Sequence, residues 1–214
     1  MTKVPIGVLA SGSGSNLQAL LDADLGVGAI VVVVSNVPGA RALERAQAAG
    51  VRAVLVDHRR YGDRAEFDRE IVRELKASGV EWVVLAGFMR IVTSTLLDAF
   101  RDRVVNIHPA LLPSFPGTKA QKQALEAGVG KSGCTVHLVD EGMDTGPILA
   151  QVEVPVFPDD TEASLGARIL KEEHRLYPKV VRALADGGLV IDPKDRKNIR
   201  LPGFSTIEAR GVSR

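Results

Sequence analysis

An asparagine and a histidine stand two positions apart in the segment NIHPALLP, which begins at Asn106. They lie at the end of an apolar run that predicts a β-strand, so the side chains of Asn106 and His108 point to the same face. An amide N–H beside an imidazole can stabilise the oxyanion that forms when a nucleophile attacks a carbonyl group. A histidine that only makes a structural hydrogen bond at a strand end explains these two residues equally well.

An acidic, glycine-containing segment, DEGMDTGP, runs from Asp140 to Pro147 between two predicted strands. A carboxylate from this loop beside His108 would raise the pKa of the imidazole and favour its protonated form. Taken alone, the segment is more typical of a solvated turn. Its spacing does not match a calcium-binding EF-hand.

A glycine-rich segment, SGSGSN, joins a predicted strand to a predicted helix between Ser11 and Asn16. The glycines permit a tight turn, the helix start offers free N–H groups, and the serine hydroxyls add donors. These features favour a phosphate site over a flexible turn with a serine or asparagine cap. The dinucleotide pattern G-x-G-x-x-G fails here, because Leu17 occupies the position of the third glycine.

Other common kinds of site find no support in the sequence. A partial P-loop pattern at residues 128–132 has Leu125 where the first glycine is required, so we predict a helix end and turn there. The four histidines lack metal-ligand spacing and no G-x-S-x-G elbow occurs, so we expect neither a metal nor a hydrolase triad. The single cysteine, Cys134, rules out an intramolecular disulfide and a cysteine-based metal cluster.

Charge and hydropathy bound the class of protein. The net charge of +1 argues against a dedicated nucleic-acid-binding protein, whose surface is usually clearly basic. The start of the chain lacks the pattern of a signal peptide. Apolar stretches are shorter than the roughly 18 residues that span a membrane. We therefore expect a cytoplasmic protein without a nucleic-acid or membrane partner.

Short apolar runs alternate with amphipathic segments through the first half of the chain. This β-α-β-α order predicts a mostly parallel sheet flanked by helices, with ligands at the carboxyl ends of the strands. The predicted strands are Val4–Ala10, Ala29–Ser35, Ala53–Val56, Trp82–Ala86 and Val104–Ile107, and the helices are Asn16–Ala23, Ala40–Ala49, Asp63–Ala77 and Thr93–Phe100. The expected ligand segments are Ser11–Asn16, Gly87–Val92, Asn106–Gly117 and Asp140–Pro147.

The second half has a different pattern. Ser132–Val139 alternates, with Thr135 and His137 on one face that we expect to line the cleft, and Ile148–Val156 predicts its hairpin-like partner. A long helix is predicted over Thr161–Ala185, bent or interrupted by Pro178. We expect the polar tail from Leu189 onward to be loosely docked.

Four segments together resemble one known family. They are SGSGSNLQAL, AGFMRIV, NIHPALLPSFPG and GCTVHLVDEGMDTGPI, in that order, and they are similar to the glycinamide ribonucleotide formyltransferases, folate-dependent enzymes of purine biosynthesis. The resemblance implies an α/β Rossmann-like formyltransferase fold with an antiparallel strand pair in its C-terminal half. It implies one domain over residues 1–190, divided into a phosphate-binding half (1–108) and a folate-binding, catalytic half (109–190), followed by a tail (191–214).

The resemblance also implies a reaction and residue roles. The formyl group of 10-formyltetrahydrofolate would pass to the amine of 5′-phosphoribosylglycinamide, with Asn106, His108 and Asp144 as the catalytic residues. Gly14, Ser15 and Asn16 would hold the phosphate, and Glu173 would contact the ribonucleotide. The implied folate-binding residues are Arg64, Met89, Arg90, Ile91, Val92, Asn106, Asp140 and Asp144, with the loop Asp140–Asp144 closing over the pteridine.

One segment departs from the family pattern, and three alternatives stay open. Where many members carry G-x-H-x-H, this chain has Thr118-Lys119-Ala120-Gln121, so any role of those histidines is absent or replaced. A methionyl-tRNA formyltransferase would carry a further C-terminal domain, and a 10-formyltetrahydrofolate hydrolase a further N-terminal one. A non-catalytic folate- or nucleotide-binding module would not need all of Asn106, His108 and Asp144. A homodimer is compatible with the apolar strands.

Overall fold

Seven strands form a single sheet in the computed structural model, which describes residues 2–195 and 198–206. The strands are β1 (Val4–Ala10), β2 (Gly28–Ser35), β3 (Arg52–Leu55), β4 (Trp82–Leu85), β5 (Val104–His108), β6 (Lys131–Leu138) and β7 (Ile148–Pro155). Their order is β3-β2-β1-β4-β5-β6-β7. The pairs from β3 to β5 are parallel, whereas β6 and β7 pair antiparallel. The predicted fold class is therefore confirmed.

Helices cover both faces of this sheet. They are α1 (Ser15–Leu21), α2 (Arg41–Ala48), α3 (Arg64–Ala77), α4 (Ser94–Ala99), α5 (Ala120–Glu126) and α6 (Glu162–Ala185). Helices α1, α2, α5 and α6 contribute to one buried apolar cluster, and α3 and α4 to the other. Along β2, Val33 packs into the first cluster while Val32 and Val34 pack into the second. A strand covered on both faces needs no polar alternation, which explains its run of valines.

The long helix α6 continues through Pro178, so the predicted interruption is wrong. Proline inside a helix costs about 3 kcal/mol through a lost hydrogen bond and a steric clash. Burial of the helix offsets that cost, because Pro178 and the neighbouring Tyr177 are both buried. The Tyr177 hydroxyl lies 2.8 Å from the Leu85 carbonyl oxygen and 3.0 Å from that of Val105. Tyr177 thereby anchors α6 where β4 and β5 meet.

Part of the C-terminal tail is docked more firmly than its polar sequence predicts. A short antiparallel pair forms between β8 (Val190–Ile191) and β9 (Ile199–Arg200). Leu201 is buried in the first apolar cluster, and the Gln151 N–H donates to the Ser205 carbonyl at 3.0 Å. Edge strands leave backbone groups unpaired, and the tail satisfies one on β7. Residues 196–197 and 207–214 of the predicted tail lie outside the described residues.

Over the described ranges, none of the helices combines the length and the apolar character needed to cross a bilayer.

Candidate active site

The end of β5 brings four polar side chains to one face of the sheet. Asn106 pairs with His137 on β6, and His108 pairs with Thr135. The intervening residues, among them Ile107 and Val136, pack into the apolar cluster on the opposite face. The predicted alternation along β6 is therefore confirmed. Asn106 and His108 share a face with His137, which the sequence placed at the cleft without naming its neighbours.

Asp144 also reaches this face, although it does not follow the carboxyl end of a parallel strand. Because β6 runs antiparallel to β5, its carboxyl end at Leu138 pairs with Val105 near the start of β5. The loop after β6 therefore begins far from the carboxyl ends of the parallel strands and must fold back. It places Asp144 Oδ2 3.3 Å from His108 Nδ1 and Asp144 Oδ1 3.5 Å from His137 Nε2.

The backbone of this loop is held by its own polar groups and by glycine. Asp140 Oδ1 accepts hydrogen bonds from the Gly142 N–H at 3.1 Å and the Thr145 hydroxyl at 2.7 Å. A Cβ at Gly146 would lie 1.9 Å from the Leu138 carbonyl oxygen, so only glycine fits there. Asp144 has a left-handed φ of 55°. These features aim the Asp144 carboxylate at the histidines.

His108 is buried, and its two ring nitrogens have different partners. Nε2 lies 2.8 Å from the Phe115 carbonyl oxygen. A carbonyl only accepts, so Nε2 carries a proton. Burial lowers the pKa of His108, and although the Phe115 carbonyl and Asp144 act to raise it, the pKa is lowered from 6.5. Asp144 acts in the expected direction, but the expectation of a raised pKa is wrong, because desolvation of the imidazolium outweighs the carboxylate.

Asp144 is positioned as a charged acceptor. Burial acts to raise its pKa, but the neighbouring His137 ring, a hydrogen bond from the Gly117 N–H and the His108 ring hold the pKa below 3.8. The Gly117 N–H donates to Oδ2 at 2.8 Å. The side chain is therefore a carboxylate at neutral pH, next to the ring that it can stabilise as a cation.

His137 orients the amide of Asn106. His137 Nδ1 lies 2.8 Å from the Leu138 carbonyl oxygen, so the proton of the neutral ring is on Nδ1. Nε2 then accepts from the Asn106 Nδ2 at 3.2 Å. This contact fixes the side-chain amide and leaves a second N–H on Nδ2 for another acceptor. The cross-strand pairing of two distant segments creates this contact, which is why the sequence did not reveal it.

The glycine-rich segment lies next to a residue from the other end of the chain. Gly14 adopts a left-handed φ of 68° before α1, and a Cβ there would lie 2.9 Å from the Ala42 Cα. Asn16 Nδ2 donates to Glu173 Oε2 at 2.8 Å, across 157 positions of sequence. The pKa of Glu173 is raised, because the effect of burial outweighs the lowering by this hydrogen bond. In the part of the chain that the structure describes, Asn16 Oδ1 is buried without a partner, so it is available as an acceptor.

The segment after β4 presents the expected folate-binding residues unequally. Met89 is 73% exposed and Ile91 is 48% exposed, although both are apolar. The Arg90 guanidinium lies 5.1 Å from the centroid of the Phe67 ring. Val92 is buried in the second apolar cluster, so its side chain faces the core. The exposed apolar surface of this segment is therefore carried by Met89 and Ile91.

Arg64 and Asp140 lie at the surface. Arg64 is the first residue of α3 and is exposed. Burial raises the pKa of Asp68, one turn later on α3, while the positive charges of Arg90 and Arg64 act to lower it. Arg64 and Arg90 thus lie around the same carboxylate. Asp140 is exposed at the start of the loop that carries Asp144.

A cavity of about 210 Å³ lies beside Asp144. Its lining consists of the apolar side chains of Leu112, Pro113, Pro116 and Ile148 together with the Met143–Gly146 turn. Within residues 2–195 and 198–206, no group of three or more His, Cys, Asp or Glu side chains could hold a metal ion. The site therefore combines hydrogen-bond donors, one carboxylate and imidazole rings.

Together, the fold and these groups define a class of protein that can stabilise a carbonyl oxyanion beside an anion-compatible loop. The sequence profile described as formyl transferase matches residues 4–181. The chain belongs to the formyl transferase family, whose members are formyl-transferring enzymes.

Individual relatives narrow the comparison. The chain is 42% identical over 187 residues to phosphoribosylglycinamide formyltransferase of Escherichia coli, covering 86% of this chain and 88% of that protein. It is 48% identical over 194 residues to the trifunctional purine biosynthetic protein adenosine-3 of Drosophila melanogaster, covering 88% of this chain but 14% of that protein. The crystal structure of glycinamide ribonucleotide transformylase 1 from Symbiobacterium toebii has 49% identity and a TM-score of 0.88, covering 93% and 94% of the two chains.

Proposed function

We propose that this enzyme transfers the formyl group of 10-formyltetrahydrofolate to the amine of 5′-phosphoribosylglycinamide, a step of purine biosynthesis. The observation that carries the proposal is the cluster of Asn106, His108 and Asp144, with Asp144 3.3 Å from the His108 ring. The names of the relatives point to the same acceptor. The continuous seven-stranded sheet and α6, which packs against both α1 and β6, support the assignment of residues 1–190 to one domain.

The glycine-rich segment and Glu173 form the proposed ribonucleotide site. Backbone N–H groups at Gly14, Ser15 and Asn16 would bind the phosphate, since the left-handed turn at Gly14 opens the start of α1. Glu173 would accept hydrogen bonds from ribose hydroxyls. Its hydrogen bond with Asn16 links the two parts of this site.

The segment after β4 and the loop after β6 form the proposed folate site. Exposed apolar surface at Met89 and Ile91 would contact the flat pterin ring, because burial of such surface favours binding. The carboxylates of the folate tail suit Arg64 and Arg90. Backbone around Val92 and the loop Asp140–Asp144 would complete the pocket.

The reaction follows from the donors around the cleft. The amine attacks the formyl carbon, a C–N bond forms, and an electron pair moves to the carbonyl oxygen. The free N–H of Asn106 and the Nδ1–H of His108 would donate to this oxygen. His108 Nε2 is already engaged by Phe115, so donation through Nδ1 requires the imidazolium. The developing negative charge, together with Asp144, would raise the pKa of His108 as the transition state forms.

The proton on the attacking amine must reach the leaving nitrogen of the folate. We propose that Asp144 holds a water molecule that relays it, since the carboxylate borders a cavity large enough for water. The C–N bond to the folate N10 then breaks, and N10 leaves protonated. Tetrahydrofolate and the formylated ribonucleotide are the products.

Formyl transfer with and without the acceptor tests this function. Wild-type enzyme with 10-formyltetrahydrofolate should release tetrahydrofolate rapidly only when 5′-phosphoribosylglycinamide is present. His108→Ala and Asn106→Ala should each lose about 10²–10³ in kcat, the usual cost of removing one oxyanion donor. Release that ignores the acceptor would identify a hydrolase. Tight folate binding without turnover would identify a binding module, and turnover with initiator methionyl-tRNA alone would identify a tRNA formyltransferase.

A further inference from the structure

The segment from Gly87 to Thr93 has no regular secondary structure, although it joins β4 to α4. It exposes the apolar side chains of Met89 and Ile91, which the proposed folate site would cover. An irregular segment that presents apolar groups in a set position needs anchors from elsewhere. Its backbone contacts show where those anchors are.

Ser11 anchors the middle of this segment. The Ser11 hydroxyl accepts a hydrogen bond from the Met89 N–H at 2.8 Å, and the Ser11 N–H donates to the Gly87 carbonyl at 3.0 Å. Ser11 is the first residue of the glycine-rich segment, which the sequence associates with phosphate. Its hydroxyl, however, is buried and turned toward the proposed folate segment. Ser11 is therefore not one of the phosphate donors.

Asn36 sets the direction of the Ser11 hydroxyl. The Ser11 hydroxyl donates to Asn36 Oδ1 at 2.6 Å, which leaves an oxygen lone pair for the Met89 N–H. Asn36 is buried directly after β2. Its carbonyl oxygen lies 2.9 Å from His58 Nδ1, which fixes the backbone at this point. A buried chain of hydrogen bonds thus runs from the end of β2 through Ser11 to Met89.

The far end of the segment has a separate anchor. Asp68 on α3 is buried and accepts from the Thr93 N–H at 2.6 Å and the Thr93 hydroxyl at 2.7 Å. With the position after Val92 held by Asp68, the freedom left to the segment lies around Met89. The Ser11 hydroxyl removes that freedom.

We propose that Ser11, oriented by Asn36, is a positioning residue for the folate, because its hydroxyl holds the Met89 backbone in the conformation that the pterin contacts. This inference rests on the proposed folate site. Without the hydroxyl, the Met89 N–H and Asn36 Oδ1 would both lose a partner in a buried place. The segment would then sample other conformations, and the folate would bind only a fraction of the molecules.

Binding of tetrahydrofolate, measured by calorimetry without oxygen, tests the inference independently of the acceptor. Ser11→Ala should weaken binding about tenfold, which corresponds to about 1.4 kcal/mol. Ser132→Ala is a matched control, since Ser132 is also buried and its hydroxyl has no partner among the described residues. It should bind within twofold of wild type. The KM for the ribonucleotide should change less than twofold in both variants.

A double-mutant cycle separates positioning from general destabilisation. If Ser11 and Asn36 act as one chain, the double alanine variant should bind tetrahydrofolate about as weakly as Ser11→Ala, whereas independent effects would multiply. Ser11→Ala binding within twofold of Ser132→Ala would overturn the inference and leave the proposed function intact. A wild-type enzyme that does not bind tetrahydrofolate would overturn both. Wild-type binding weakened by Ser11→Ala, without transfer to 5′-phosphoribosylglycinamide, would overturn only the proposed acceptor.

Discussion

Replacing Asp144 by asparagine removes one negative charge beside His108 and changes little else. The two side chains have nearly the same shape, and an asparagine oxygen can still accept from the Gly117 N–H that now binds Oδ2 at 2.8 Å. The substitution therefore tests the charge and not the conformation of the loop.

The distance sets the expected magnitude. Asp144 Oδ2 lies 3.3 Å from His108 Nδ1, and the Asp144 side chain is 14% exposed. Unit charges at such a distance interact by about 5 kcal/mol at an effective dielectric constant of roughly 20. Solvent and the asparagine dipole replace part of this interaction, so we expect Asp144→Asn to lose about 3–4 kcal/mol of transition-state stabilisation. That loss corresponds to a fall in kcat of about 10²–10³.

Steady-state formyl transfer and an NMR titration of the His108 ring measure this prediction. In Asp144→Asn, kcat should fall by the stated amount, both KM values should change less than about threefold, and the pKa of His108 should fall further. Asp98→Asn is the matched control, because Asp98 is an exposed residue of α4 whose ion pair with Arg101 lies at the surface. A kcat within about threefold of wild type in Asp144→Asn, with the fold intact, would show that the carboxylate does not stabilise the imidazolium in the reaction.

Further predictions concern the ribonucleotide site, the pH dependence of stability and the orientation of Asn106. Glu173→Gln should raise the KM for the ribonucleotide about tenfold and leave the KM for the folate unchanged in steady-state assays, since a neutral amide replaces the carboxylate acceptor beside Asn16. Burial holds the pKa of His108 in the folded protein below 6.5, so as the pH falls the unfolded chain protonates this histidine before the folded protein does. The stability of the fold therefore decreases as the pH drops below 6.5. When the pH is lowered from about 7.5 to about 5.5, the Tm of wild type should therefore fall more than that of His108→Gln in thermal unfolding. Equal losses of Tm would contradict the lowered pKa of His108. His137→Leu should lower kcat about tenfold, and its effect should shrink in an Asn106→Ala background, whereas additive effects would mean that His137 does not act through Asn106.

Local sequence patterns determined the elements of this fold. The run of β-branched residues in β2 predicted a strand buried on both faces, because periodicity and branching act over a few neighbouring residues. The β-α-β-α order predicted the parallel part of the sheet, and the alternation around Thr135 predicted the antiparallel part. Residue types also indicated a chemistry, since an amide two positions from an imidazole at a strand end suits an oxyanion.

Tertiary structure decided how these residues meet. Asn16 reaches Glu173, and Asn106 reaches His137, only through the order and register of distant elements. Asp144 approaches His108 because a loop folds back from the opposite end of an antiparallel strand. Tertiary structure also decided the direction of the His108 pKa shift, since burial is a property of the whole fold. Local pattern sets which groups a segment offers, whereas long-range packing sets their distances and their solvation, and the chemistry depends on both.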